Sequence, residues 1–128
     1  MLVGAHEPPH FTQVRAELHN YSLDLQTRVA AAVQARGSVI YDERLIETLA
    51  FAEGRLLYIH PFADFNGRTT RLFLALLLKR LDLPRVALVP PPERARSYLD
   101  ALAAADLLNY APLAENWHQR FEQAGARL

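Results

Sequence analysis

Residues 60–81 read HPFADFNGRTTRLFLALLLKRL, and the order of residue types in this stretch decides the architecture. Pro61 stops the helix before it, because a residue preceding proline is biased towards extended backbone. A new helix starts near Asn66, and the apolar run carries it to about Leu81. Beyond its first two turns this helix is apolar all round, which predicts a central element packed on every side. The expected fold is therefore helix on helix, with this rod in the middle.

Working outward, Phe11 to about Gln34 places Val14, Leu18, Tyr21, Leu25, Val29 and Val33 at the three-or-four spacing of an amphipathic helix. Pro8 and Pro9 suit its start and Gly37 its end. Asp42 is expected to cap a second helix that runs to about Ile59 and buries Leu45, Ile46, Leu49, Leu56 and Leu57. Leu83 to Pro92 reads as a rigid, proline-rich connector with a short extended piece at Val86–Val89. A fourth helix, about Glu93 to Leu107, shows Ala95, Tyr98, Leu99 and Leu102; Tyr98 reads as core rather than as a wall for a ligand. Pro112 opens a fifth helix with Leu113, Trp117, Phe121 and Ala124 on one face. Met1–Ala5 reads as a strand or β-hairpin remnant. The prediction is one all-α domain over residues 1–128, built of about five or more helices around a central buried third helix.

Composition removes several function classes. The 128 residues carry 14 basic and 14 acidic side chains, so no global basic field favours nucleic acid or an anionic membrane. Apolar residues make up 51% of the chain, yet no window approaches the roughly 20 apolar residues of a membrane span. With no cysteine, thiolate metal sites and thiol catalysis are excluded, and a reducing compartment such as the cytoplasm fits. No secretory pattern opens the chain. Lys79, the only lysine, follows leucines rather than a glycine loop, which excludes a Walker-type phosphate loop. His6 and His10 have a helical ligand spacing but flank prolines and lack further ligands, and His19 and His118 read as surface residues.

The start of the central helix carries the chemistry. A helix N-terminus exposes unpaired N–H groups and about half a positive charge. Arg68 and Arg71 lie three apart at that end, where each cation costs about 0.3 to 1 kcal/mol. An anion bound there reverses the sign, since N–H groups and guanidinium forks share it. Gly67 lets backbone approach the anion, and Asn66 supplies an amide that can cap the helix or bond a phosphate oxygen. Asp64 is a hard oxygen ligand suited to Mg²⁺, or a plain helix cap. His60 can accept a proton near neutral pH, with Pro61 and Phe62 holding the loop. Together they describe a cradle for a metal-bound polyphosphate beside a general base.

Residues 60–71 resemble the signature of the Fic (filamentation induced by cAMP) family, His-Pro-Phe-x-Asp/Glu-Gly-Asn-Gly-Arg-x-x-Arg, at every specified position but one. Residues 3–18 look like the family's Pro-Pro lead-in to its first core helix, and Tyr98 to Leu113 look like its later Tyr-Leu-x-Ala-Leu and Tyr-x-Pro-Leu segments. The resemblance implies transfer of AMP from Mg·ATP to a Ser, Thr or Tyr hydroxyl of a target protein. In that reading His60 deprotonates the hydroxyl and Asp64 holds Mg²⁺. Asn66 and Gly67 line the site for the α- and β-phosphates, Arg68 also binds phosphate, and Arg71 grips the γ-phosphate.

The chain departs from the pattern in three ways. Phe65 stands where the family has glycine, which strains the loop if that residue needs positive φ. Gly67 keeps the second glycine, whereas the related Doc toxins, which phosphorylate, look different there. Only Met1–His6 is available for the hairpin flap that aligns a target strand. The inhibitory pattern Ser/Thr-x-x-x-Glu-Gly/Asn is missing, since Leu49 precedes Glu53-Gly54 and Ala111 precedes Glu115-Asn116; inhibition would then fall to a separate antitoxin-like partner. Two alternatives stay open from the residues: a catalytically silent nucleotide-binding or interaction domain obstructed by Phe65, and transfer of another phosphate-containing group.

Overall fold

A computed structural model describes residues 9–60 and 66–126. A 3-10 turn, Phe11–Gln13, leads into α1 (Val14–Gln34), followed by α2 (Tyr41–Ile59), α3 (Asn66–Arg80), α4 (Ala95–Asp106) and α5 (Ala111–Gln123). The described residues contain no strand, as the all-α reading expects. The strand remnant predicted at Met1–Ala5 lies outside the described residues.

Turn chemistry sets most of the boundaries. Gly37 has φ +86°, a left-handed conformation that glycine adopts without steric cost, and it reverses the chain after α1. Asp42 does not cap α2; Ile40 occupies that position without a side-chain bond. Asp42 and Glu43 instead sit in the first turn, where their charge meets the positive end of the helix. Pro112 lies in the first turn of α5, where its missing N–H costs nothing. The segment between α3 and the 3-10 turn at Pro92–Arg94 is irregular, so Val86–Val89 forms no strand, though Val86 is buried.

The centre of the bundle is α2, not α3. Helix α2 packs against α1, α3, α4 and α5, and among the described elements α3 packs against α2. The predicted α2 face, Leu45, Ile46, Leu49, Leu56 and Leu57, is buried. Each such side chain contributes about 1.5–3 kcal/mol on removal from water. What makes α2 central is a set of small residues that the apolar stripe does not reveal: Ala50, Ala52 and Gly54 are all buried. At Gly54 an added Cβ would lie 2.9 Å from the Ala105 Cβ and 3.1 Å from carbons of both Leu113 and Tyr110. Glycine here leaves room for the side chains of Ala105, Tyr110 and Leu113 against α2. Helix α3 instead buries one side, Asn66, Thr70, Leu74, Leu77 and Leu78, and leaves Leu72 and Leu76 exposed.

The other helices bury only part of their expected faces, with Val14, Leu18, Val29, Tyr98 and Leu99 half-buried and Ala124 exposed. On α1, Tyr21 and Leu25 are buried with Ala32, whereas Val33 is exposed. On α4 the closest contact comes from Ala101, Leu102 and Ala105 rather than from Ala95. Leu113, Trp117 and Phe121 of α5 enter the core.

One buried polar network joins four segments. The carboxylate of Glu53 (1% exposed) receives two bonds from Arg120 (8% exposed), Nη1 to Oε1 at 2.7 Å and Nη2 to Oε2 at 3.0 Å. Tyr98 donates its hydroxyl to Glu53 Oε2 at 2.5 Å, and Arg120 Nη2 also donates to the Leu88 carbonyl at 3.2 Å. The guanidinium lies over the Trp117 ring, 4.4 Å from its centre. Burial pushes the Tyr98 hydroxyl well above its ordinary pKa, and the neighbouring Glu53 charge pushes it further. Tyr98 is half-buried and packs against the core, and its hydroxyl is committed to Glu53.

Candidate functional site

Helix α2 ends in His60, and α3 begins at Asn66, so the two rods bracket residues 61–65. Those five residues include Asp64 and Phe65, and they lie outside the described residues. The predicted metal ligand and the departure from the family pattern are therefore not positioned here. The remaining predicted site residues sit on the two helix ends.

His60 is the C-cap of α2 and adopts φ +50°, ψ +61°, the left-handed region that costs a non-glycine residue about 1–2 kcal/mol. Its backbone N–H still donates to the Leu56 carbonyl at 3.3 Å, which closes the last turn. Its ring Nδ1 meets the carbonyl oxygen of Leu57. A carbonyl can only accept, so Nδ1 carries the proton and Nε2 is the basic nitrogen. The contact favours the tautomer with the proton on Nδ1.

At the other rod, Asn66 is 3% exposed and begins the buried stripe of α3 with Thr70 and Leu74. Arg68 faces outward, and Arg71 is half-buried. A Cβ built on Gly67 would lie 3.1 Å from Nη1 and 3.9 Å from Cζ of Arg71. The Arg71 guanidinium therefore folds back one turn and lies over the backbone of the first turn at Gly67. Gly67 is helical, so its role here is space for that guanidinium rather than an unusual φ. N–H groups of the first turn and a guanidinium fork thus share one end of α3, the combination that binds anions.

A metal here would rest on Asp64. A lone carboxylate fits Mg²⁺, which takes one or two such ligands and fills its shell with water and substrate phosphates. Among the described residues no group of three or more His, Asp or Glu side chains could hold a metal by itself. Also among the described residues, no helix is long and apolar enough to cross a membrane. Two surface clefts lie elsewhere. One, of about 440 Å³, is lined by Arg28, Glu47, Tyr110 and His118 among others; the second runs past Glu17, Tyr21, Phe51 and Arg55. Neither includes His60 or a residue of α3.

Sequence patterning did not single out the Glu53–Arg120 pair. The signal was present: Glu53 lies between Leu49 and Leu56–Leu57 on the apolar stripe of α2, and Arg120 between Trp117 and Phe121 on that of α5. A charge on a buried stripe requires a partner of the other sign.

Comparison of the sequence with known proteins places the chain in a family. The sequence profile described as "Fic/DOC family" matches residues 3–78. The chain belongs to the Fic/DOC family. It is similar to the protein adenylyltransferase fic-1 of Caenorhabditis elegans, 42% identical over 67 residues, which are 52% of this chain and 13% of that protein. It is also similar to the protein adenylyltransferase Fic of Drosophila persimilis, 29% identical over 96 residues, 75% of this chain and 17% of that protein. The chain thus spans less than a fifth of the length of these relatives. No solved structure matches it at a comparable level of significance.

Proposed function

We propose that this protein is a protein adenylyltransferase that moves AMP from Mg·ATP to a Ser, Thr or Tyr hydroxyl of a target protein. The observation that carries this reading is the Arg71 guanidinium folded over the first turn of α3 at Gly67, a ready site for a polyphosphate. The names of the relatives support the same chemistry.

In this mechanism the first-turn N–H groups of α3, with Asn66, Gly67 and Arg68, hold the α- and β-phosphates, and Arg71 holds the γ-phosphate. Asp64 would hold Mg²⁺, which would supply charge neutralisation on the phosphates. The target hydroxyl oxygen attacks the α-phosphorus while its proton passes to Nε2 of His60. The bond from the α-phosphorus to the bridging oxygen breaks, and pyrophosphate leaves. The Leu57 carbonyl keeps the imidazole in the tautomer that can accept that proton. A cysteine-free chain suits this work in a reducing cytosol.

Parallel incubations of the protein and a cell extract with α-³²P-ATP and γ-³²P-ATP test the proposal. Label on protein from the α form alone is the expected result. Label from the γ form indicates a kinase instead, and no label from either leaves a silent domain.

A further inference from the structure

We propose that the groove between α2 and α5 is a docking site for a short arginine-bearing segment of a partner protein. The groove encloses about 440 Å³, which suits a few side chains rather than a whole helix. Its floor is Ile46 of α2, which is buried, together with Ala111 and Ala114 of α5. Alanine at these two positions of α5 leaves depth that larger side chains would fill. The rims are acidic. Glu43 and Glu47 stand one turn apart on α2, Glu115 stands on α5, and all three are exposed.

Charge selects the occupant. Among the described residues none of these three carboxylates is in an ion pair. Arg28 and His118 also line the groove, but the Arg28 guanidinium lies over the Phe51 ring, 4.1 Å from its centre. Three carboxylates against one guanidinium leave the groove negative. The chain as a whole has no net charge, so this excess is local. An arginine side chain meets both parts of the groove. Its methylene stem covers the apolar floor, and its planar fork bonds a rim carboxylate through two N–H groups. A lysine offers only a point charge, and an acidic segment is repelled. The groove is also remote from the transfer chemistry. Glu47 precedes His60 on α2 by roughly 20 Å at 1.5 Å per residue, so a segment seated there leaves the helix ends at His60 and Asn66 open.

The test uses the full chain and three short synthetic peptides of one design, alternating alanine with arginine, with citrulline or with glutamate. Fluorescence anisotropy is expected to show binding of the arginine peptide that weakens as salt rises, and little binding of the other two. Glu47→Gln with Glu115→Gln removes one carboxylate from each rim and should weaken the arginine peptide by about tenfold. Asp82→Asn with Glu93→Gln removes the same charge outside the groove and should leave binding unchanged. Ala111→Phe narrows the groove at constant charge and should also weaken binding. All five side chains are exposed, and circular dichroism checks that the variants fold. No binding of the arginine peptide, or equal binding of the citrulline peptide, overturns the proposal. Equal losses in the two double variants also overturn it, because a diffuse field would then be the cause, and so does indifference to Ala111→Phe. Oligomers of the chain that dissociate in Glu47→Gln with Glu115→Gln would overturn it as well, since a second copy would then fill the groove.

Discussion

At the scale of single residues, His60 combines a strained backbone with a defined tautomer. The backbone holds a left-handed φ, and the contact with the Leu57 carbonyl favours the proton on Nδ1. His60→Ala is expected to lower AMP transfer by about 10²- to 10⁴-fold, the usual contribution of a positioned base. Calorimetry should show that this variant still binds Mg·ATP, whereas Arg71→Ala loses much of that binding. Wild-type transfer by His60→Ala would remove the base assignment. The candidate site was legible in the chain as a pattern of residue types a few positions apart: a histidine, a carboxylate, a glycine and two arginines within residues 60–71. The fold-back of Arg71 over Gly67 was not legible, since it depends on a rotamer that the helix surface selects.

At the scale of elements, the packing of α2 against its neighbours depends on small residues and on one ion pair. Gly54→Ala would bring a methyl within 2.9 Å of the Ala105 Cβ, too close for real Cβ contacts, so the packing of α2 against α4 must shift. Overpacking of this kind costs about 1–3 kcal/mol, measurable as a lower denaturation midpoint at unchanged m value. Glu53→Ala leaves the Arg120 cation buried without its partner, a loss of about 3–5 kcal/mol. Pairing Glu53→Met with Arg120→Met should recover part of that stability, because apolar groups of similar size leave no lone buried charge. If the double variant is less stable than Glu53→Ala alone, the uncompensated charge is not the cause. Apolar count pointed to α3 as the central helix, but centrality requires faces that neighbours can approach. Ala50, Ala52 and Gly54 offer that on α2, whereas Leu72 and Leu76 are left without a covering element among the described residues.

For the whole molecule, the buried tyrosines predict a weakness at high pH. Burial raises the pKa of Tyr21, Tyr98 and Tyr110, with the Glu53 charge adding to the shift at Tyr98. The folded state therefore holds these protons more tightly than the unfolded chain, whose tyrosines titrate near the ordinary value of about 10. This contribution to stability is complete below about pH 10 and is lost progressively as pH rises above it. Thermal melts should show Tm falling from that point, and tyrosinate absorbance should rise with the loss of helix rather than before it. Tyrosinate that forms in full while the helices persist would contradict the burial. The existence and approximate limits of the five described helices follow from the chain alone. Prolines, glycines, capping positions and periodicity act over a turn or two and need no distant partner. Which helix lies at the centre, and that Glu53 meets Arg120 across 67 positions of sequence, only the tertiary structure decided. Those outcomes depend on how closely two backbones can approach and on which of several apolar faces finds another to cover it.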